Sequence, residues 1–264
     1  LIWIKPNDHQ LRAHWRQSSL EQKILTMSRA KACLDCAVRD KALCKALCPE
    51  DLAKLNRLSY RKRYCAGQLI AGLSTPEAWC ATILAGVVKL TKSLPDGRHQ
   101  IVGLLFPSDF LGRPFKTTSS YAAEAATDVQ LCCYNQRHFE HLLAEQPDLK
   151  QLLLERTLDA VDASHEWMLL LGCKSAKERV AALLVLIARR LARDVDPVGA
   201  IQPPLTIELP LSRAEIADYL GLRLETVSRQ LNRLEAAGVI KRVARRGIEI
   251  CDARELERLA GDPA

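Results

Sequence analysis

Four cysteines, Cys33, Cys36, Cys44 and Cys48, fall within sixteen residues of a chain that carries ten in all. Thiolates are strong ligands for zinc and for iron–sulfur clusters, and Cys-x2-Cys is a recurring ligand pair. No positively charged start followed by an apolar core and a small-residue cleavage site is visible, so a cytoplasmic location is expected. In that compartment a disulfide framework is the weaker reading of the cysteines, and metal or redox chemistry the stronger. The four crowded thiols are enough to close a tetrahedral zinc site by themselves. The isolated Cys65, Cys80, Cys173 and Cys251 read as small apolar residues.

A second chemistry lies near the C-terminal end. Ser212-Arg213-Ala214-Glu215 is a capping box that opens a helix through about Leu220. Gly221 can take a positive φ, and a further helix runs from about Leu224 to Ala237, stopped by Gly238. Two helices around a glycine turn make the helix-turn-helix pattern of DNA-binding proteins. Glu225, Ser228 and Arg229 stand at i, i+3 and i+4 and share a face. Arg can donate twice to guanine, Glu can accept from cytosine, and Ser can do either. The alternative is a solvated face with a Glu225–Arg229 ion pair. Val239–Val243 and Ile248–Ile250 read as a hairpin whose Lys241, Arg242, Arg245 and Arg246 suit phosphate contact. The net charge of +7 accords with a polyanionic partner.

The elements that position these groups are legible more coarsely. The 264 residues are 48% hydrophobic and 26% charged, the balance of a globular chain with a real core. From about Leu55 to Glu140, short apolar runs (68–71, 81–91, 100–106 and 129–134) alternate with turn signals such as Pro95-Asp96-Gly97, the texture of an antiparallel β roll. From Pro147 the pattern becomes a long helix. Leu154, Leu158, Val161, His165 and Met168 follow alternating four- and three-residue steps, the spacing of a dimer seam or of a helix packed on its own domain. Gly172 is read as a break before a helix over about Ser175–Arg193. The longest apolar run, Val180–Ala188, is about half of a membrane span, so no membrane partner is expected.

The expected architecture is therefore α+β. Residues 1–32 form a tail, with Met27 a candidate natural start. Residues 33–146 hold the cysteine loop and β roll, 147–173 the dimerisation helix and 174–264 the winged helix-turn-helix.

The run Leu211-Ser212-Arg213-Ala214-Glu215-Ile216-Ala217-Asp218-Tyr219-Leu220-Gly221-Leu222, followed by Glu225-Thr226-Val227-Ser228-Arg229, resembles the helix-turn-helix of the Crp/Fnr superfamily. The Glu-x-x-Ser-Arg pattern is similar to its FNR type. The segment Glu166–Gly172 and the spacing Cys33-x2-Cys36-x7-Cys44 look closest to the FnrL branch of oxygen-responsive regulators. The resemblance spans about residues 33–260. It implies a cyclic-nucleotide-binding-like β roll, a dimerisation helix and a winged helix-turn-helix.

It also implies a cofactor. FNR-type proteins bind a [4Fe–4S] cluster through three N-terminal cysteines and one from the roll, seven residues before an anchor of the next helix. With Phe139 as that anchor the fourth ligand is Cys132, and Cys133 points to the other face of its strand. The implied protein is a homodimer that senses oxygen, reads a TTGAT–ATCAA-type palindrome through Glu225, Ser228 and Arg229, and works with RNA polymerase on anaerobic or microaerobic genes. The competing assignments are a structural zinc and a thiol-redox or nitric-oxide sensor on the same DNA-binding frame. The arginine that pairs with a cyclic phosphate in relatives is replaced in the Ser119-Ser120 region, which argues against a cyclic-nucleotide sensor. The chain has no glycine-rich phosphate loop, metalloprotease helix or nucleophile elbow, so an enzyme is not expected.

Overall fold

The computed structural model describes residues 33, 35–72, 78–116, 118–192 and 201–261. The expected tail and Met27 lie outside the described residues. A cysteine-bearing loop with a 3-10 turn at Leu43–Ala46 leads into α1 (Pro49–Leu58), started by Pro49 at its first turn with Glu50 and Asp51 beside it.

Among the described residues, eight strands then build the roll. They are β1 (Ser59–Tyr64), β2 (Leu69–Ala71), β3 (Trp79–Ala85), β4 (Val88–Ser93), β5 (His99–Leu105), β6 (Phe110–Leu111), β7 (Ala122–Ala125) and β8 (Val129–Asn135). One antiparallel sheet has the order β1-β8-β3-β6 and the other β2-β7-β4-β5. Ile70, Ile83, Val88, Leu111, Leu131 and Cys133 are among the residues that fill the space between them. The apolar run 81–91 is not one strand. It divides at Gly86, whose φ is +82° and whose missing Cβ would stand 2.0 Å from the Asp128 carbonyl oxygen. Only glycine fits there, and the chain changes sheets at that point.

Asn135 caps α2 (Gln136–Glu145) by accepting from the Arg137 and His138 backbone N–H groups. The long helix α3 (Pro147–Cys173) follows, then α4 (Ala176–Ala192). The expected break at Gly172 is displaced. The helix runs through Cys173 and ends at Lys174, because a helical glycine lowers stability without forbidding the turn.

The C-terminal part contains β9 (Leu205–Glu208), α5 (Arg213–Leu220), α6 (Leu224–Ala236), β10 (Ile240–Arg242), β11 (Gly247–Ile250) and α7 (Ala253–Ala260). The three strands pair antiparallel in the order β10-β11-β9. Ser212 and Glu215 make the full reciprocal capping box, and Gly221 takes the left-handed conformation at φ 61°. The core of this part continues into the roll: Val87, Ile101, Leu104 and Phe106 join Val180, Leu184 and Ile187 of α4 and Ile216 and Leu220 of α5 in one buried cluster.

Candidate cysteine centre and nucleic-acid interface

Strand β8 presents its two adjacent cysteines to different surroundings. Leu131 and Cys133 face the core between the sheets. Cys132 and Tyr134 face a second apolar cluster formed by Leu43 and Leu47 of the loop, Leu52 of α1, Phe139 of α2 and Leu149 of α3. Cys33 and Cys44 pack against that same cluster. The Phe139 ring stacks between Phe110 and Tyr134, at centroid distances of 5.1 and 5.7 Å, and so anchors the patch.

The thiols of this patch also affect one another electrically. Burial pushes the Cys33 thiol up to about 11, and the nearby Cys132 and Cys36 raise it further. Burial pushes Cys44 up to about 12, with added repulsion from Cys132, Cys33 and Cys36. Cys132 is raised by burial, partly offset by hydrogen bonds from Ser59 and Tyr134. Removing protons from all of these thiols would gather negative charge in a half-buried space, so a cationic centre is what would hold them ionised together. The donor set suits a thiolate-bound metal or iron–sulfur group. As placed, no three His, Cys, Asp or Glu side chains among the described residues form a ready metal-binding group. The thiols are neighbours in a common patch without being a closed coordination shell.

Cys48 stands apart. It is exposed at the N-cap of α1, and its thiol donates to Asp51 Oδ2 at 3.2 Å. Asp51 is itself held by Lys54 at 2.7 Å and by Gln146 Nε2 at 2.6 Å. Cys133 is buried on the opposite face of β8, and burial pushes its thiol up to about 12.

Tyr134, Ser59 and Thr82 were not singled out from the sequence. The Tyr134 hydroxyl shares a 2.6 Å hydrogen bond with Thr82 Oγ1 and reaches the Cys44 and Cys132 thiols. The available signal was Tyr134 lying two residues beyond Cys132, on the same strand face.

The cysteine loop also touches the long helix. Arg156 Nη2 on α3 donates to the Lys41 carbonyl in the loop at 3.1 Å. Arg156 stands between Leu154 and Leu158, which are 59% and 56% exposed. With Val161, His165 and Met168 they form an uncovered stripe along α3, apolar except for His165. Its C-terminal end meets the helix-turn-helix: Trp167 stacks on Tyr219 at 4.0 Å between centroids. Arg179 of α4 donates to the carbonyls of Leu171, Lys174 and Leu220 at 2.7, 2.9 and 3.0 Å, tying the ends of α3 and α5 together. Neither contact was anticipated, since each joins residues with no shared periodicity.

On α6, Val227, Leu231 and Leu234 turn inward. Glu225 and Arg229 are exposed and Ser228 is half-buried, its hydroxyl 3.5 Å from Arg213 Nη1. The sequence-based triplet thus lies on an accessible face. The four basic wing residues are not equivalent. Lys241 and Arg245 are exposed with no ion pair among the described residues. Arg242 donates from both Nε and Nη2 to Glu235 Oε2, and Arg246 Nη1 reaches the Pro210 carbonyl. A cleft of about 240 Å³ lined by Ser212, Arg213, Arg242, Arg245 and Arg246 separates the wing from α5. Its walls carry the positive charge that a backbone phosphate requires.

No helix among the described residues is long and apolar enough to cross a membrane. Residues 178–259 match the model of the Crp-like helix-turn-helix domain, and residues 61–146 that of the cyclic nucleotide-binding domain. The chain is 44% identical over 230 residues to the transcriptional activator protein FnrL of Cereibacter sphaeroides, covering 87% of this chain and 92% of that one. It is 35% identical over 233 residues to the nitrogen fixation regulation protein FixK of Bradyrhizobium diazoefficiens, covering 86% and 93%. The solved structure of FixK2 from Bradyrhizobium japonicum superimposes with a TM-score of 0.69 at 32% identity, over 78% of this chain and 98% of that one. With the roll, long helix and winged helix-turn-helix in the same order, the chain belongs to the Crp/Fnr family of DNA-binding transcription regulators.

Proposed function

We propose that the protein is an oxygen-responsive transcription activator of the FNR type, holding a [4Fe–4S] cluster on Cys33, Cys36, Cys44 and Cys132. The observation that carries this reading is the meeting of Cys132 with Cys33 and Cys44 on one apolar patch, while Cys133 and Cys48 point elsewhere. The same observation ranks the four-cysteine zinc loop second, since Cys48 bonds Asp51 and Cys132 is closer to the other thiols' electrical environment. When bound, such a cluster supplies an oxygen-labile cross-link between four thiolates.

The chain's own residues give that cross-link a reach. Cys132 lies on a strand fixed between β1 and β3, so it is the rigid end of the tie. Cys33, Cys36 and Cys44 are the loop end, and Leu43 and Leu47 seat the loop beside Leu149 and Leu152 of α3. Arg156 holds the Lys41 carbonyl, so the loop's position bears on the part of α3 that carries Leu154 and Leu158. Pairing of two chains along Leu154, Leu158, Val161, His165 and Met168 then presents two α6 helices to successive major grooves, about one helical turn apart. Glu225, Ser228 and Arg229 read each half of a TTGAT–ATCAA-type palindrome, and Lys241 and Arg245 contact phosphate with Arg242 and Arg246 behind them. Residues 33–146 serve as the sensor, 147–173 as the dimerisation helix and 174–264 as the DNA-binding part. RNA polymerase is the further partner, the compartment is the cytoplasm, and no catalytic turnover is involved. A differential stability of only a few kcal/mol between paired and unpaired states suffices for such a switch.

Binding provides the test. Anaerobically purified protein should retard a duplex carrying the palindrome and release it after exposure to air. Retardation that is indifferent to air would leave a DNA-binding regulator and remove oxygen as its signal.

A further inference from the structure

Lys89 is a buried charge in the interface between the roll and the helix-turn-helix, beside a cluster of apolar side chains. Its side chain is 11% exposed, and its ammonium lies 2.8 Å from Glu124 Oε1 on β7 and 2.5 Å from Glu215 Oε1 on α5. Glu215 is divided between two tasks. Its Oε2 accepts from the Ser212 backbone N–H at 2.8 Å in the capping box, and its Oε1 faces the roll. The first turn of the helix-turn-helix is therefore joined through one carboxylate to a lysine 126 residues earlier in the chain.

Around this triad, Val87, Ile101, Leu104 and Phe106 pack with Ile216, Leu220 and the inner face of α4. Apolar packing holds two bodies together but is weakly directional, whereas a buried ammonium between two carboxylates tolerates little rotation. His99 and Asp218, 3.4 Å apart, and Arg190 and Asp109, 3.3 Å apart, lie at more exposed points of the same interface.

We propose that Lys89 is a positioning residue for DNA reading: by joining Glu124 of the roll to Glu215 of α5, it sets the angle at which α6 is offered to DNA. α5 and α6 pack as one unit through Ile216, Leu220, Val227 and Leu231, so the angle fixed at Glu215 is passed to Glu225, Ser228 and Arg229. In a dimer, that angle decides which separation of half-sites both reading helices can reach together. The inference rests on the palindrome reading given under Proposed function.

The experiment measures the affinity of anaerobically purified protein for palindromic duplexes whose half-site spacing varies by one and two base pairs either way, with a random duplex as reference. The parent is expected to show one spacing optimum, with about a tenfold loss at a one-base-pair change. Lys89→Met should lower affinity at the optimum by about tenfold and flatten the spacing profile, leaving random-duplex binding unchanged. Glu215→Gln removes the charge but keeps a side chain able to complete the capping box, and should flatten the profile as well. It decides the matter if Lys89→Met fails to fold. Variants that keep the parent's optimum and steepness overturn the role of Lys89. A parent without any spacing optimum overturns the palindrome reading itself, and this inference with it.

Discussion

The Trp167 ring on α3 lies against the Tyr219 ring on α5, 4.0 Å between centroids and 25° from parallel. The stack joins the helix that carries the exposed stripe to the helix that precedes the DNA-reading one. Arg179 reinforces the junction by taking carbonyls from both helix ends. Whatever fixes α3 thus bears on α5 through a side-chain contact and the three hydrogen bonds of Arg179.

Trp167→Ala should accordingly weaken that coupling. The expected loss of stability is about 1–3 kcal/mol, below the ~3–5 kcal/mol of a fully buried aromatic because Trp167 is only half-buried. Denaturant unfolding measures this directly. Operator affinity should fall by more than the affinity for random duplex, and an equal fall on both would show that the stack supports folding alone.

Arg229→Ala should cost roughly 1–3 kcal/mol per half-site and relax discrimination at the base pair it contacts. Lys241→Ala should weaken specific and random duplexes alike and reduce the salt dependence of binding. Arg242→Ala should have a smaller effect on the salt slope, because Glu235 already pairs with that guanidinium. Titrations at several salt concentrations check all three. An Arg229→Ala protein that loses affinity equally on every sequence would reassign Arg229 to phosphate.

Leu158→Glu should disrupt pairing while leaving the fold intact, since Leu158 touches solvent in the isolated chain. A charge there would be buried without a partner only in the dimer. Sedimentation should show monomer where the parent shows dimer, with the secondary structure of the folded chain retained and a melting temperature that no longer rises with protein concentration. A variant that still dimerises would place the seam elsewhere.

Acid should loosen the roll from the helix-turn-helix. Burial raises Glu215, but hydrogen bonds with Lys89 and Ser212 outweigh it and hold the carboxyl below its ordinary value. A carboxylate depressed in the folded state contributes stability above its unfolded pKa, and that stability is lost as pH falls through the folded pKa. The loss therefore begins at roughly pH 4 and grows below it. Unfolding curves across that range should show a shallower acid slope for Glu215→Gln than for the parent.

The helix-turn-helix was legible because its signals are local. The capping box, the positive-φ Gly221 and the inward Val227, Leu231 and Leu234 all sit within a few residues of what they specify. The roll was less so. The run 81–91 reads as one strand because periodicity carries no mark of the sheet change at Gly86. β1 escaped notice because Ser59–Tyr64 is polar, its exposed positions being filled by Arg61 and Arg63. At the cysteine centre, alternation along β8 separates Cys132 from Cys133, but only the packing of Tyr134 and Phe139 shows which face meets the loop. The Lys89–Glu215 pair and the Trp167–Tyr219 stack are tertiary and leave no trace in spacing.

The central claim is the cluster on Cys33, Cys36, Cys44 and Cys132, and metal analysis of anaerobically purified protein tests it most directly. Iron and sulfide should each approach four per chain, with a brown absorbance that bleaches in air. Cys132→Ser should abolish that absorbance, whereas Cys133→Ser and Cys48→Ser should keep most of it. Colourless protein holding one zinc per chain, or a cluster that survives Cys132→Ser but not Cys48→Ser, would contradict the account.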